Sequence, residues 1–247
     1  MNSLLPQEFA TAVIVQVAMD EEAAPFLELT EPAADDFGVG AAQFYPRTLN
    51  TAGTTRPILL VRSKIGLVNA ATALTTALGL VSHPAAVLSA GTAGGLHTSI
   101  NVGDIVVGAD YTYTDADATA FGYEYGQVPG MPARYQASKS LLEQAQAAAQ
   151  VYTGEGQVRY GTMLAGGSFV TAHNVKNTRE IFPEALSTDM ETTALAQICV
   201  SRDLPFISVR GVSDLCGPAA DQDFHMDAPI VAARSAQLVT ALINTPA

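Results

Sequence analysis

The chain has 247 residues, 48% of them hydrophobic, which is enough for one large core that needs neither metal nor disulfide to hold it. Its 24 Asp and Glu against 12 Lys and Arg give a net charge of -12, which repels a phosphate backbone and argues against nucleic acid as a partner. Cys199 and Cys216 show neither metal-ligand spacing nor the density of a secreted scaffold, and no stretch approaches about 18 uninterrupted apolar residues. The expectation is a cytoplasmic protein without signal peptide or membrane span.

In chain order, apolar β-branched runs at 12–17, 57–61, 86–89, 105–107, 158–163 and 206–212 predict strands. Alanine-rich segments at 20–29, 67–81, 137–151, 190–202 and 225–243 predict helices between several of them. That alternation means α/β, and runs so continuously apolar suit central strands covered on both faces, hence a three-layer sandwich. The more polar stretch 39–50 reads as an edge excursion. No linker, charge run or repeat of about 20 to 50 residues divides the chain, so a single domain over 1–247 is expected, with 1–11 as a flexible N-terminal extension. The longest irregular segment, 113–135, holds four tyrosines and Phe121, too aromatic for a wet surface excursion.

Several motifs fall at the ends of these strands, where open α/β sheets hold ligands. AMDEE puts Asp20, Glu21 and Glu22 in the first turn of a helix; they either complement the helix dipole or supply a general base. SAGTAGGL, residues 89–96, follows a strand and reads as a glycine-rich cradle or a tight turn; it is neither a Walker loop nor GxGxxG. Glu191 follows a buried run, and Arg210, in an otherwise apolar strand, is its natural partner. A structural ion pair is the bland alternative, weakened because Asp214 adds a third charge at the same sheet end. His83, His97, His173 and His225 show no paired ligand spacing, and no GxSxG occurs, so the chemistry rests on carboxylates without metal or cofactor.

Taken in order, AMDEE, GTAGGL, VGDIVV, DADATAFGYEYGQVPG, GSFV, DMETTA and VRGVSD resemble the 5'-methylthioadenosine/S-adenosylhomocysteine nucleosidases, of the nucleoside phosphorylase superfamily. The resemblance covers roughly 12–242. It implies a central mixed, twisted sheet flanked by helices, and hydrolysis of an N-glycosidic bond with release of adenine, a step of methionine salvage. It implies Glu22 as the base that deprotonates the attacking water and Asp214 as the acid at adenine N7, with Ser213 holding Asp214. Glu191 would bind the ribose hydroxyls, Arg210 would orient Glu191, and Met190 would pack on the sugar. Phe169 would stack on adenine while the backbone of Val170 reads its edge. Met19, Ile65 and Phe224 would line the 5' side, and Thr92, Ala93, Gly94 and Asp189 complete the substrate-binding set. It also implies a homodimer in which Phe121 and Pro129 close the partner's 5' pocket.

The chain departs from the family pattern in four places. It has SKIG where SGIG is usual, setting Lys64 beside the 5' pocket, and Thr92, Asp189 and Ala118 replace the usual serine, glutamate and larger aliphatic. Rival readings are a purine nucleoside phosphorylase, a futalosine or aminodeoxyfutalosine hydrolase, and a noncatalytic nucleoside-binding protein. The phosphorylase needs an arginine-lined anion site that DEEAA does not provide. The binding protein would not need both Glu22 and Asp214.

Overall fold

Neighbouring residues of a strand face opposite ways, and in β1 (Val13–Val17) both faces are covered. Ile14 packs into the core on one side of the sheet, and Val15 and Val17 into the core on the other. This is the signature of a sheet covered twice. The computed structural model describes residues 5–51, 53–216 and 226–246. From Leu5 onward the expected N-terminal extension is packed rather than loose: the 3-10 turn Gln7–Thr11 seats Phe9, with no exposed surface, in the first core. An aromatic ring that size stays where it is buried.

After β1 come α1 (Asp20–Leu29), β2 (Glu31–Pro32), β3 (Phe37–Val39), β4 (Ala42–Thr51), β5 (Thr54–Arg62), α2 (Leu67–Leu80), β6 (Ala86–Gly95) and β7 (Ile105–Tyr113). Then follow β8 (Tyr135–Gln136), α3 (Lys139–Val151), β9 (Val158–Ala165), α4 (Val175–Ile181), β10 (Ser187–Asp189), α5 (Thr192–Ser201), β11 (Phe206–Asp214) and α6 (Ala228–Asn244). Alanines make the close helix packing possible. In α2, Ala70, Ala73, Leu74 and Ala77 form one buried stripe at helical spacing, and the first core gathers α2 and α5. The second core gathers α1, α3 and α6 on the opposite face. The architecture is the expected three-layer sandwich.

The sheet runs β10-β9-β7-β11-β6-β1-β5-β4-β2 and is mixed: β1 lies parallel to β5 and β6, whereas β4 runs antiparallel to β5. The polar stretch around β4 sits next to the edge, as its composition suggested. Beyond that order, β10 pairs with β9 and also with β6, Ser187 facing Met163 on one side and Gly95 on the other. Five strands therefore curl into a closed ring. β1 pairs with β6 only as far as Gln16 opposite Ser89, while β6 continues to Gly95. The strand ends diverge there, and α1, α5 and the end of β11 converge on the gap.

One expected loop is a strand. The glycine run 89–96 belongs almost entirely to β6, whose ladder with β11 continues to Gly94. The glycines are set by what lies against them, as the site shows.

Candidate active site

Glu22 is the third residue of α1, and its carboxylate turns back to the helix start: Oε2 accepts from the N–H of Met19, at 3.1 Å, and of Ala18, at 2.8 Å. Its Oε1 accepts from the Thr92 N–H, at 2.8 Å, and the Thr92 hydroxyl, at 3.0 Å. Glu22 is 1% exposed, so a side chain from one element is locked onto another in a nearly dry place. Gly91 makes that possible. A Cβ there would lie 2.5 Å from Glu22 Cδ and overlap Oε1, and the backbone sits at φ +129.

Gly94 plays the same part for Asp214, the last residue of β11. A Cβ on Gly94 would collide with Cys216 Sγ and lie 3.3 Å from Asp214 Oδ1. The Asp214 carboxylate accepts from the Ser213 hydroxyl at 3.0 Å and from the Cys216 N–H at 2.9 Å. Two glycines on one strand thus leave the space in which two buried carboxylates sit.

Between them lies an ionic cluster. Arg210 of β11, 1% exposed, donates to Glu191 Oε2 at 3.2 Å, to the Thr92 carbonyl at 3.1 Å and to Ser89 Oγ at 2.9 Å. Its Nε lies 3.3 Å from Asp189 Oδ2, a charge contact without hydrogen-bond alignment. Asp189 spends its carboxylate on the turn into α5, accepting from the N–H groups of Glu191, at 2.8 Å, and Thr192, at 2.7 Å, and from the Thr192 hydroxyl, at 2.5 Å. Asp189 is therefore a cap and counter-ion that aims its neighbour Glu191. Glu191 Oε1 accepts from the Gly66 N–H at 2.8 Å. Burial raises its pKa from the ordinary 4.5 to about 7, with Arg210 opposing and Asp189 assisting.

These groups surround a cavity of about 460 Å³. Fourteen of the residues expected from the sequence line it: Met19 and Glu22 from α1 and its start, Ile65 from the loop after β5, and Thr92, Ala93 and Gly94 from β6. The others are Phe169 and Val170 after β9, Asp189, Met190 and Glu191 before α5, and Arg210, Ser213 and Asp214 on β11. Phe121 and Pro129 do not line it; both are exposed in the 113–135 segment, Phe121 at 83%. Phe224 lies outside the described residues. Sequence reasoning missed Ala18, Ser168, Thr188, Cys216, Met226, Asp227 and Ala228, which also line the cavity. Ala18, Ser168, Thr188 and Ala228 are small and carry little chemical signal, whereas Cys216, two residues after Asp214, and the carboxylate of Asp227 each offered one.

Lys64, beside Ile65, is exposed and sits at φ 73, in the left-handed region that costs a side-chain-bearing residue roughly 1–2 kcal/mol. That is the backbone a glycine adopts freely. Among the described residues no cluster of three or more His, Cys, Asp and Glu is placed to hold a metal ion, and no helix is long and apolar enough to cross a membrane.

Comparison with known proteins finds relatives over nearly the whole chain. The profile of the Phosphorylase superfamily matches residues 12–244. A 5'-methylthioadenosine/S-adenosylhomocysteine nucleosidase of Staphylococcus aureus is 37% identical over 228 residues, 92% of this chain and 96% of that protein. The crystal structure of the nucleosidase of the same name from Neisseria meningitidis, in complex with methylthio-immucillin-A, superposes with a TM-score of 0.85 at 34% identity, covering 95% of this chain and 98% of the other. An S-adenosylhomocysteine nucleosidase of Streptococcus pyogenes, in complex with 5-methylthiotubericidin, superposes with a TM-score of 0.84 at 28% identity, over 96% and 98% of the two chains.

Proposed function

The chain belongs to the phosphorylase superfamily and to its 5'-methylthioadenosine/S-adenosylhomocysteine nucleosidases, and we propose that it hydrolyses the N-glycosidic bond of both nucleosides, releasing adenine. The observation that carries this is the pair of buried carboxylates, Glu22 and Asp214, set into one cavity over glycines that leave room for them. Cleavage passes through an oxocarbenium-like sugar, and such a step needs an acid on the leaving-group side and a base opposite. Asp214 is the acid: it protonates adenine N7, so that the base leaves neutral. Glu22 is the base: it takes a proton from water as the water oxygen bonds to C1'.

Four donors fill the four lone-pair directions of the Glu22 carboxylate, three of them backbone N–H groups fixed by the fold. Only the Thr92 hydroxyl can rotate away, so its place is the one we assign to the attacking water. Glu191 accepts the ribose hydroxyls, and its negative charge supports the developing cation. Phe169, 66% exposed without a ligand, stacks on adenine, and the backbone of Val170 reads its edge. Met190 packs on the sugar, and Met19, Ile65 and Phe224 take the 5' substituent.

Water, rather than phosphate, is the acceptor. The one cationic side chain among the described cavity-lining residues is Arg210, and it is already committed to Glu191, Asp189, Thr92 and Ser89. An incoming phosphate would meet carboxylates instead of free guanidinium groups. We further propose a cytoplasmic homodimer acting in methionine salvage as one nucleosidase domain, with no nucleic acid or membrane partner. Support for the dimer is the apolar surface left exposed at Val68 and Phe121, 79% and 83%. In it, Phe121 and Pro129 cover the partner's 5' pocket.

Adenine release from 5'-methylthioadenosine and S-adenosylhomocysteine, followed with and without phosphate, tests the reading. Equal rates and a free thioribose product are expected. Strict phosphate dependence with a ribose 1-phosphate product would place the chain among the phosphorylases.

A further inference from the structure

The chain has three lysines, and two of them have a carboxylate one helical turn on: Lys139 with Glu143 at 3.9 Å and Lys176 with Glu180 at 3.8 Å. Among the described residues Lys64 has no ion-pair partner, although the chain carries twice as many acids as bases. It is also the lysine with a left-handed backbone. That backbone is fastened on both sides. The buried Ser63 hydroxyl has two carbonyls within reach of its one proton, Val17 at 3.1 Å and Lys64 at 2.8 Å, while the Gly66 N–H holds Glu191. An unfavourable conformation, an unpaired charge and immediate adjacency to a ligand cavity coincide in one residue.

The position gives this cation a use. Ile65, its neighbour, lines the cavity and is 50% exposed, so Lys64 stands at the cavity mouth. The cavity wall holds Glu22, Asp189, Glu191, Asp214 and Asp227 against Arg210, which is fully engaged. A nucleoside whose 5' substituent ends in a carboxylate would meet net repulsion at such a mouth. A lysine is a point charge on a flexible stem and can offset that repulsion without a fixed geometry.

We infer that Lys64 is a specificity-determining residue at the mouth of the cavity, pairing with a carboxylate carried at the end of the 5' substituent. The inference rests on the nucleosidase reading. The carboxylate has two possible sources, an amino-acid tail as in S-adenosylhomocysteine or an aryl carboxylate as in aminodeoxyfutalosine. 5'-Methylthioadenosine, which has none, is the internal control.

The test measures kcat/KM for the three nucleosides with wild type, Lys64→Gln and Lys64→Gly, at low and high salt. Lys64→Gly suits the left-handed backbone, so it removes the charge without adding strain. Both variants are expected to lower kcat/KM for a carboxylate-bearing nucleoside about fivefold, and to leave 5'-methylthioadenosine within roughly twofold. High salt should cut the wild-type preference and leave that of the variants unchanged. Whichever carboxylate-bearing nucleoside loses rate identifies the source. Ratios to 5'-methylthioadenosine that stay within roughly twofold of wild type in both variants would overturn the role of Lys64. A wild-type enzyme that releases base from none of the three would instead overturn the nucleosidase reading, and this inference with it.

Discussion

Gly91 shows how a residue without a side chain can shape the site proposed for acid and base. Its missing Cβ is the room that the Glu22 carboxylate occupies, and its φ of +129 suits no other residue. Gly91→Ala is expected to lower kcat at least 100-fold with little change in KM, and to cost roughly 1–3 kcal/mol of stability from backbone strain. In a Glu22→Gln background the same substitution should cost little further rate, because both act through one group. Multiplying losses would show that Gly91 acts by another route.

Glu191 couples both stability and ligand binding to pH. Its folded pKa is raised to about 7, so between 4.5 and about 7 the folded state keeps a proton that the unfolded chain has lost. Its contribution to stability is therefore full at acid pH and falls away as pH rises through about 7. Ligand binding runs the opposite way in the proposed site, where ribose hydroxyls donate to the ionised carboxylate. The Ki of a non-cleavable nucleoside with both ribose hydroxyls should drop as pH rises through about 7, and Glu191→Gln should abolish that dependence. A flat wild-type profile would deny Glu191 its role.

Elements place these residues, and the turn from β10 into α5 is the clearest case. Asp189 accepts three hydrogen bonds there and faces Arg210, so Asp189→Ala removes a cap and leaves a buried guanidinium short of a counter-ion. A loss of about 3–5 kcal/mol in urea unfolding is expected, with a raised KM because Glu191 loses its aim. A loss under about 1 kcal/mol would mean that Arg210 and the turn stand without it.

The strands that were legible in the sequence are those whose side chains are largely apolar on both faces, such as β1, the first three residues of β7 and most of β11. β6 was legible only to Ser89, because glycines show no hydrophobic period and 91–95 therefore reads as a loop. β10 was hidden for a related reason: three polar residues, Ser187, Thr188 and Asp189, are buried as a strand only because β9 and β6 flank them. α4 was also missed, since VKNTREI shows little apolar periodicity and buries only Val175 and Thr178. Glu191, Arg210 and Asp214 could be picked out because charge in or at the end of an apolar run is conspicuous, whereas Glu22 stood among three adjacent acids and only the resemblance singled it out. What they rest on, the space over Gly91 and Gly94 and the Cys216 N–H, depends on which strand lies beside which. Local sequence does not state that.

In the whole molecule, the 113–135 segment presents Phe121 to solvent although, Phe169 apart, every other aromatic ring among the described residues is buried or half-buried. A homodimer at micromolar concentration is expected by sedimentation. Phe121→Ala should raise KM for 5'-methylthioadenosine much more than for adenosine, because in the proposed dimer the ring it removes packs on the apolar tail and not on the purine. Full activity in a monomer, or an unchanged KM ratio, would refute the shared pocket.

The central claim is that two buried carboxylates divide the work of cleaving one bond. Single-turnover adenine release in phosphate-free buffer, compared for wild type, Glu22→Gln and Asp214→Asn, tests it most directly. Each variant is expected to lose at least about 1000-fold in rate, while Glu22→Gln still binds the nucleoside. Retention of more than about a tenth of the wild-type rate by either variant would contradict the role assigned to that residue.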